Sequence, residues 1–220
     1  MTRPFILCFS LFFALQGCGV VANHFNQEGA EAFGQKDLAK AKAKFAKAVS
    51  FDDSNPTFHN NLGYTLYLLR ELPAAEKEFR AALDHKPDEK LGRQVRINQV
   101  MLYGDGKADA TKPEFKDWNE KGIKVLQGLI AEDGENAEFH MRLGFAYFRA
   151  VNPGGGFSEL DSAVRLATPE KVGRYSADPI QGSIFILEQI QRFYAKVRYF
   201  KKAKEVQGLI DQVRKKQGHR

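Results

Sequence analysis

The chain has 220 residues, 43% hydrophobic and 27% charged, which is globular composition with enough apolar residues for a substantial core. Its 19 Gly and 8 Pro are too few for a collagen-like or low-complexity disordered chain. The net charge of +6 is concentrated: between Arg192 and Arg220 ten Lys or Arg face only Glu205 and Asp211, so the remainder carries a slight negative balance.

Phe5 to Leu15 is an eleven-residue apolar run behind Arg3. That is the length of a signal-peptide core and well short of the ~20 residues a bilayer-crossing helix needs. Leu15-Gln16-Gly17-Cys18 follows directly. It resembles the lipobox of bacterial lipoproteins, where a small residue precedes a Cys that is diacylated and becomes the new N-terminus. Leu15, Gly17 and Cys18 match; Gln16 departs from the small residue usual there. A plain secretory peptide, or an uncleaved anchor continuing through Val20-Val21, are the other readings of these residues. The lipobox reading implies a signal peptide over 1–17, lipidation at Cys18 and a tether over 18–22. Cys8 then leaves with the signal peptide, and the mature chain has no further thiol for a disulfide or a metal site. By the same resemblance, Gly19 in place of Asp implies retention at the outer membrane, on its periplasmic face.

Asn23 to Asn55 and Pro56 to Glu89 repeat one pattern at an offset of 34 residues. Gly29 matches Gly63, Leu38 matches Leu72, Ala41 matches Ala75, Phe45 matches Phe79 and Ala48 matches Ala82. Large apolar residues, among them Leu62, Leu66 and Leu72, sit between the small ones, and Pro87 ends the second copy. This register resembles the tetratricopeptide repeat, with a small residue inside the first helix and a spaced Ala, aromatic, Ala set in the second. The resemblance implies an all-α superhelical solenoid of antiparallel helix pairs over 23–220. Its third copy spans 90–136: Leu91 to Tyr103 is a first helix, and a polar insert covers 104–117. A helix is expected to start near Thr111-Lys112-Pro113-Glu114, whose spacing is that of a capping box. Gly122, Leu126 and Leu129 then take the small and large positions of a second helix.

Ala137 to Ala150 reads as the first helix of a fourth copy over 137–168. VNPGGG at 151–156 reads as a long loop, and Phe157 to Leu166 as a helix capped through Ser158 and Asp161. Pro169 to Pro179 has no assignable element. Ile180 to Lys196 and Tyr199 to Lys216 form a terminal helix pair. Its apolar stripe of Phe193, Val197, Phe200, Val206, Ile210 and Val213 suits a cap that closes the end of a repeat stack.

Sequence signs of catalysis are weak. His24, His59, His85, His140 and His219 include no pair at i, i+4 and no HExxH. His59 and His140 fall on one repeat position, which suits packing or groove lining. Gly154-Gly155-Gly156 lacks the Lys-Ser/Thr of a phosphate-binding loop. Asp105 and Asp109 lack the third acidic ligand and closing Glu of a calcium loop. We therefore expect no catalytic residue, cofactor or metal.

The repeat resemblance instead implies a groove lined by the first helix of each pair. The lining positions are Thr57, Asn60, Tyr64, Tyr67 and Leu68 in the second copy, and Glu138, Met141, Phe145, Phe148 and Arg149 in the fourth. Tyr side chains suit an interface, being amphipathic and cheap to order. The basic C-terminal helix reads either as a solvated cap or as a dock for an acidic partner or anionic envelope polymer. Export argues against nucleic acid. Lipobox and repeats together resemble the lipoproteins that serve type IV or tight-adherence pilus machines and secretins. They also resemble adaptors for peptidoglycan enzymes or proteases. Both imply protein partners in envelope assembly. The rival from another class is an enzyme or small-ligand receptor using the groove and the 104–117 insert.

Overall fold

The structure, a computed structural model, describes the backbone of residues 5–106, 115 and 117–218 and the side chains of 19–104, 115 and 117–216. Among these residues there are eleven α-helices and no strand. The chain divides into two compact units, Met1–Ala108 and Asp109–Arg220. The first unit holds α1 (Phe5–Gly34), α2 (Leu38–Phe51), α3 (Pro56–Leu68), α4 (Leu72–Asp84) and α5 (Glu89–Gly106). The second holds α6 (Trp118–Glu132), α7 (Ala137–Arg149), α8 (Pro153–Leu166), the single turn α9 (Pro169–Val172), α10 (Pro179–Lys196) and α11 (Phe200–Gly218).

Helices pack as consecutive pairs, α1 on α2 and α3 on α4 in the first unit, α7 on α8 and α10 on α11 in the second. The second helix of each pair buries a repeated set of residues. These are Ala41, Phe45 and Ala48 in α2, Ala75, Phe79 and Ala82 in α4, Gly122, Leu126 and Leu129 in α6, and Gly156, Leu160 and Ala163 in α8. The spacing of four and three residues keeps each set on one helix face. In three pairs the large central residue of the set abuts a glycine in the first helix. A Cβ on Gly63 would lie 2.9 Å from the Phe79 ring; on Gly29 it would lie 2.6 Å from Phe45, and on Gly144 2.8 Å from Leu160. The small residues therefore set how closely paired helices approach.

The turns within pairs are copies of one another. Lys36, Arg70, Val151 and Arg198 have φ of 62°, 65°, 56° and 60° and follow α1, α3, α7 and α10. Each amide at that position donates to the carbonyl three residues back: Lys36 to Phe33, Arg70 to Tyr67, Val151 to Phe148 and Arg198 to Ala195. The next amide donates five residues back: Asp37 to Ala32, Glu71 to Leu66, Asn152 to Tyr147 and Tyr199 to Tyr194. These are Schellman caps built without glycine. Several helix starts are likewise shared. Asn55, Asn152, Thr168 and Asp178 each cap a helix with a side-chain oxygen and are followed by Pro in the first turn.

Four sequence expectations change. Residues 153–156 are not loop but the first turn of α8, with the Asn152 side chain accepting from the Gly155 amide. The reason is packing: Gly156 takes the small position of the repeat, where a Cβ would sit 2.6 Å from the Phe148 ring. Ser158 and Asp161 accordingly lie inside the helix and do not cap it. In the terminal pair, Ala203, Val206, Ile210 and Val213 are buried, but Val197 and Phe200 are 42% and 66% exposed and lie outside the stripe. Gly104 to Gly106 end α5 as helix; residues 107–114 of the insert, including Asp109 and the expected helix start at Thr111 to Glu114, lie outside the described residues.

At the N-terminus α1 is continuous from Phe5 to Gly34, and the side chains of Cys8 and Cys18 lie outside those described. Ala22, placed by sequence at the end of a tether, is fully buried with Ala48 and Phe58. Among residues 19–104, 115 and 117–216 no helix is long and apolar enough to cross a membrane.

Candidate functional site

The two sets of expected groove residues meet different surroundings. In the first unit α3 is flanked by α2 and α5, and its neighbours are tied to it by asparagines. Asn26 of α1 accepts from Asn61 at 2.9 Å, and Asn98 of α5 donates to Asn60 at 2.9 Å. Gln94 extends the row by donating to Asn98 at 3.1 Å. Thr57 and Leu68 are exposed, and Asn60, Tyr64 and Tyr67 are half-buried. The rings of Phe33, Tyr64 and Tyr67 lie in sequence at centroid distances of 5.9 Å and 6.1 Å. The result is a strip of aromatic faces beside a row of amides, carried on helices α1, α3 and α5. Asn98 is buried and braces the row from beneath, which leaves the half-buried Asn26, Asn60 and Asn61 and the exposed Gln94 to match the backbone groups of an extended polypeptide while the rings cover its side chains.

In the second unit the matching positions are engaged internally. Met141 is buried in the core with Val172 and Ile184. The Phe145 and Phe148 rings lie 5.1 Å and 4.6 Å from Phe193 of α10, and Phe148 also meets Phe157 edge-on at 4.8 Å. Arg149 Nε donates to Asn119 at 2.8 Å, and Glu138 accepts from Arg142 one turn on. Here α10 packs where a ligand would lie. Asp161 fastens the arrangement, accepting from the Tyr194 hydroxyl at 3.1 Å and from Lys202 Nζ at 3.0 Å. Burial and then the adjacent Asp161 charge push the Tyr194 hydroxyl well above the usual tyrosine range, so it stays a donor.

His59 and His140 have one role, repeated. Nδ1 of His59 meets Glu78 Oε2 at 2.7 Å and Nε2 meets the Asp53 carbonyl at 2.7 Å. Nδ1 of His140 meets Glu159 Oε2 at 2.6 Å and Nε2 meets the Gly134 carbonyl at 3.0 Å. Both partners of the His59 ring are acceptors, so only an imidazolium satisfies both of its bonds. The hydrogen bond to Glu78 raises the His59 pKa, opposed by burial. Each clip joins the two helices of a pair and the loop before it. Sequence reasoning placed the histidines but not Glu78 and Glu159. The signal was present, since each Glu lies 19 residues after its His. Among the described residues no three of His, Cys, Asp or Glu gather as a metal-ligand set.

No protein-family description and no curated protein matches the sequence. Solved structures match most of the chain at low identity. MamA from Desulfovibrio magneticus RS-1, residues 41 to the end, is similar with a TM-score of 0.67 at 15% identity, over 89% of this chain and 96% of that one. Pseudomonas aeruginosa PilF is similar with a TM-score of 0.60 at 17% identity, over 90% of this chain and 78% of that one. A tetratricopeptide repeat protein from Parabacteroides merdae ATCC 43184 is similar with a TM-score of 0.56 at 15% identity, over 91% and 76%. Together with the repeated small and large residues and the paired helices, these likenesses establish that the chain has the tetratricopeptide-repeat fold.

Proposed function

We propose that this protein is a non-catalytic scaffold that holds a polypeptide partner on the α3 face of its first unit. We place it on the periplasmic side of a bacterial outer membrane, anchored through acyl chains on Cys18. The observation that carries the binding role is the contrast between the two units. Tyr64 and Tyr67 are half-buried, their rings meeting Phe33 and each other, with Leu68 exposed after them, whereas Met141 is buried and the half-buried Phe145 and Phe148 pack against Phe193 of α10. Unequal use of equivalent positions is what a scaffold with one binding face and one structural cap requires. The location rests on the lipobox resemblance at Leu15 to Cys18. The assembly served rests on resemblance to the lipoproteins of pilus and secretin biogenesis, and the fold is shared with Pseudomonas aeruginosa PilF.

A photo-crosslinking residue at Tyr67 in intact cells tests the binding role. It should trap a discrete envelope protein, while the same probe at exposed Lys77 on α4 should not. Tyr64→Ala with Tyr67→Ala should weaken capture of that protein by about tenfold or more, the scale of losing central aromatic anchors. Equal capture by the double variant would remove the α3 face as the site.

A further inference from the structure

Four residues in a row at the turn between α10 and α11 are exposed: Val197, Arg198, Tyr199 and Phe200, with exposed Lys201 directly after them. Phe200 is 66% exposed, Tyr199 45% and Val197 42%, so three large apolar side chains stand among Lys196, Arg198 and Lys201. The equivalent turn after α7 carries Val151, which is 88% exposed. The two turns lie on one edge of the second unit. Phe157 links them, with its ring 4.8 Å from Phe148, three residues before Val151, and 5.2 Å from Tyr199. Lys204 adds a further exposed cation one turn into α11. Of the nearby acids, Asp161 is engaged by Tyr194 and Lys202, and Glu205 is exposed beside Lys204.

We infer that this edge is a membrane-contact tip that inserts Phe200 and Val197 into the headgroup region of an anionic phospholipid bilayer, with Tyr199, its ring packed on Phe157 and Tyr194, at the boundary. Aromatic side chains favour that boundary because one part of the ring is apolar and the rest is wet. Exposed Lys196, Arg198 and Lys201 are interspersed along the chain with the apolar residues, and such cations are drawn to anionic leaflets. The Schellman turn fixes Arg198 at φ 60° and holds the tip as a formed loop, so little ordering is needed on contact. The tip's chemistry is independent of acylation at Cys18; only the choice of an envelope phospholipid as its source rests on the proposed location.

The test reads the tip locally, so attachment through the N-terminus does not obscure it. In the full chain carrying Cys8→Ser and Cys18→Ser, Phe200→Cys is labelled with an environment-sensitive fluorophore and mixed with vesicles. Vesicles of phosphatidylethanolamine and phosphatidylglycerol should shift its emission to the blue and intensify it; vesicles of phosphatidylcholine alone should not. A label at Gln212→Cys, about 18 Å along α11 at 1.5 Å per residue, should not respond. Adding Lys196→Gln, Arg198→Asn and Lys201→Gln, with Asn chosen because it tolerates a positive φ, should abolish the response at position 200. Silence at position 200, or an equal response to neutral vesicles, overturns the inference. So does a response to polyglutamate with none to vesicles, which would make the tip a dock for an acidic protein. Failure of the anchor reading is separate, because it appears as solubility of the wild-type chain and leaves this response unchanged.

Discussion

At the residue scale, much of the register follows from sterics. Gly29, Gly63 and Gly144 are small because Phe45, Phe79 and Leu160 stand where a Cβ would go. That relation was legible in sequence as a matched spacing, since an aromatic or Leu sixteen residues after a Gly recurs in all three pairs. Val151 obeys no such rule. A β-branched residue at φ 56° is strained, because Cβ crowds the backbone in the left-handed region. It is also 88% exposed, so packing does not hold it there. Val151→Gly should therefore raise stability by about 1 kcal/mol, the left-handed penalty less the extra freedom glycine gives the unfolded chain. A thermal melt followed by circular dichroism should show a midpoint a few degrees higher, and a lower midpoint would contradict the strain. Nothing in the sequence near Val151 announces the strain, because a Schellman position is usually marked by Gly and here it is not.

Between elements, the histidine clip makes stability depend on pH. The folded-state pKa of His59 lies above its ordinary value of 6.5, chiefly through the hydrogen bond to Glu78. A group whose pKa rises on folding adds stability that is complete below about 6.5 and is lost as pH climbs through the raised folded value. Wild-type protein should thus become less stable from about pH 6.5 upward, and His59→Gln should lose much of that slope while starting lower. His59→Gln should cost about 2 kcal/mol at acidic pH, the scale of losing charge-assisted bonds. Denaturant melts across the range would read both effects, and an unchanged slope would show that folding does not raise the His59 pKa. Helix existence was mostly legible from apolar spacing, and helix ends were less so. Residues 153–156 look like a loop because three glycines are poor helix formers. Asn152, Pro153 and the need for a small residue against Phe148 outweigh that preference. The terminal stripe misled for the opposite reason. Val197 and Phe200 fit the apolar period of α10 and α11, yet the turn falls between them and turns both outward.

For the molecule as a whole, the repeat fold was legible because one 34-residue unit recurs, and each copy supports the reading of the next. The site was less so. Equivalent positions in the two units have the same register, and only tertiary packing distinguishes Tyr64, which meets Phe33 and Tyr67, from Phe145, which meets Phe193 of α10. No local pattern carries that difference, since it depends on which distant helix packs over each first helix. The proposed location rests on Cys18. Cys18→Ser should move the protein from the membrane fraction to the soluble fraction of disrupted cells. Retention of that variant after high-salt washing would exclude the acyl anchor, because salt screens the basic tip and leaves apolar attachment intact.

The burial of Ala22 against Ala48 and Phe58 has a mechanical consequence. If Cys18 carries the acyl chains, only Gly19, Val20 and Val21 separate lipid from packed protein. Along a helix that is about 6 Å, and even a fully extended chain would span only about 14 Å. The anchor is then a bolt and not a leash. The protein cannot range through the periplasm in search of its partner; the partner must come to the membrane, and anything gripped by Tyr64 and Tyr67 would be held within a few nanometres of the lipid.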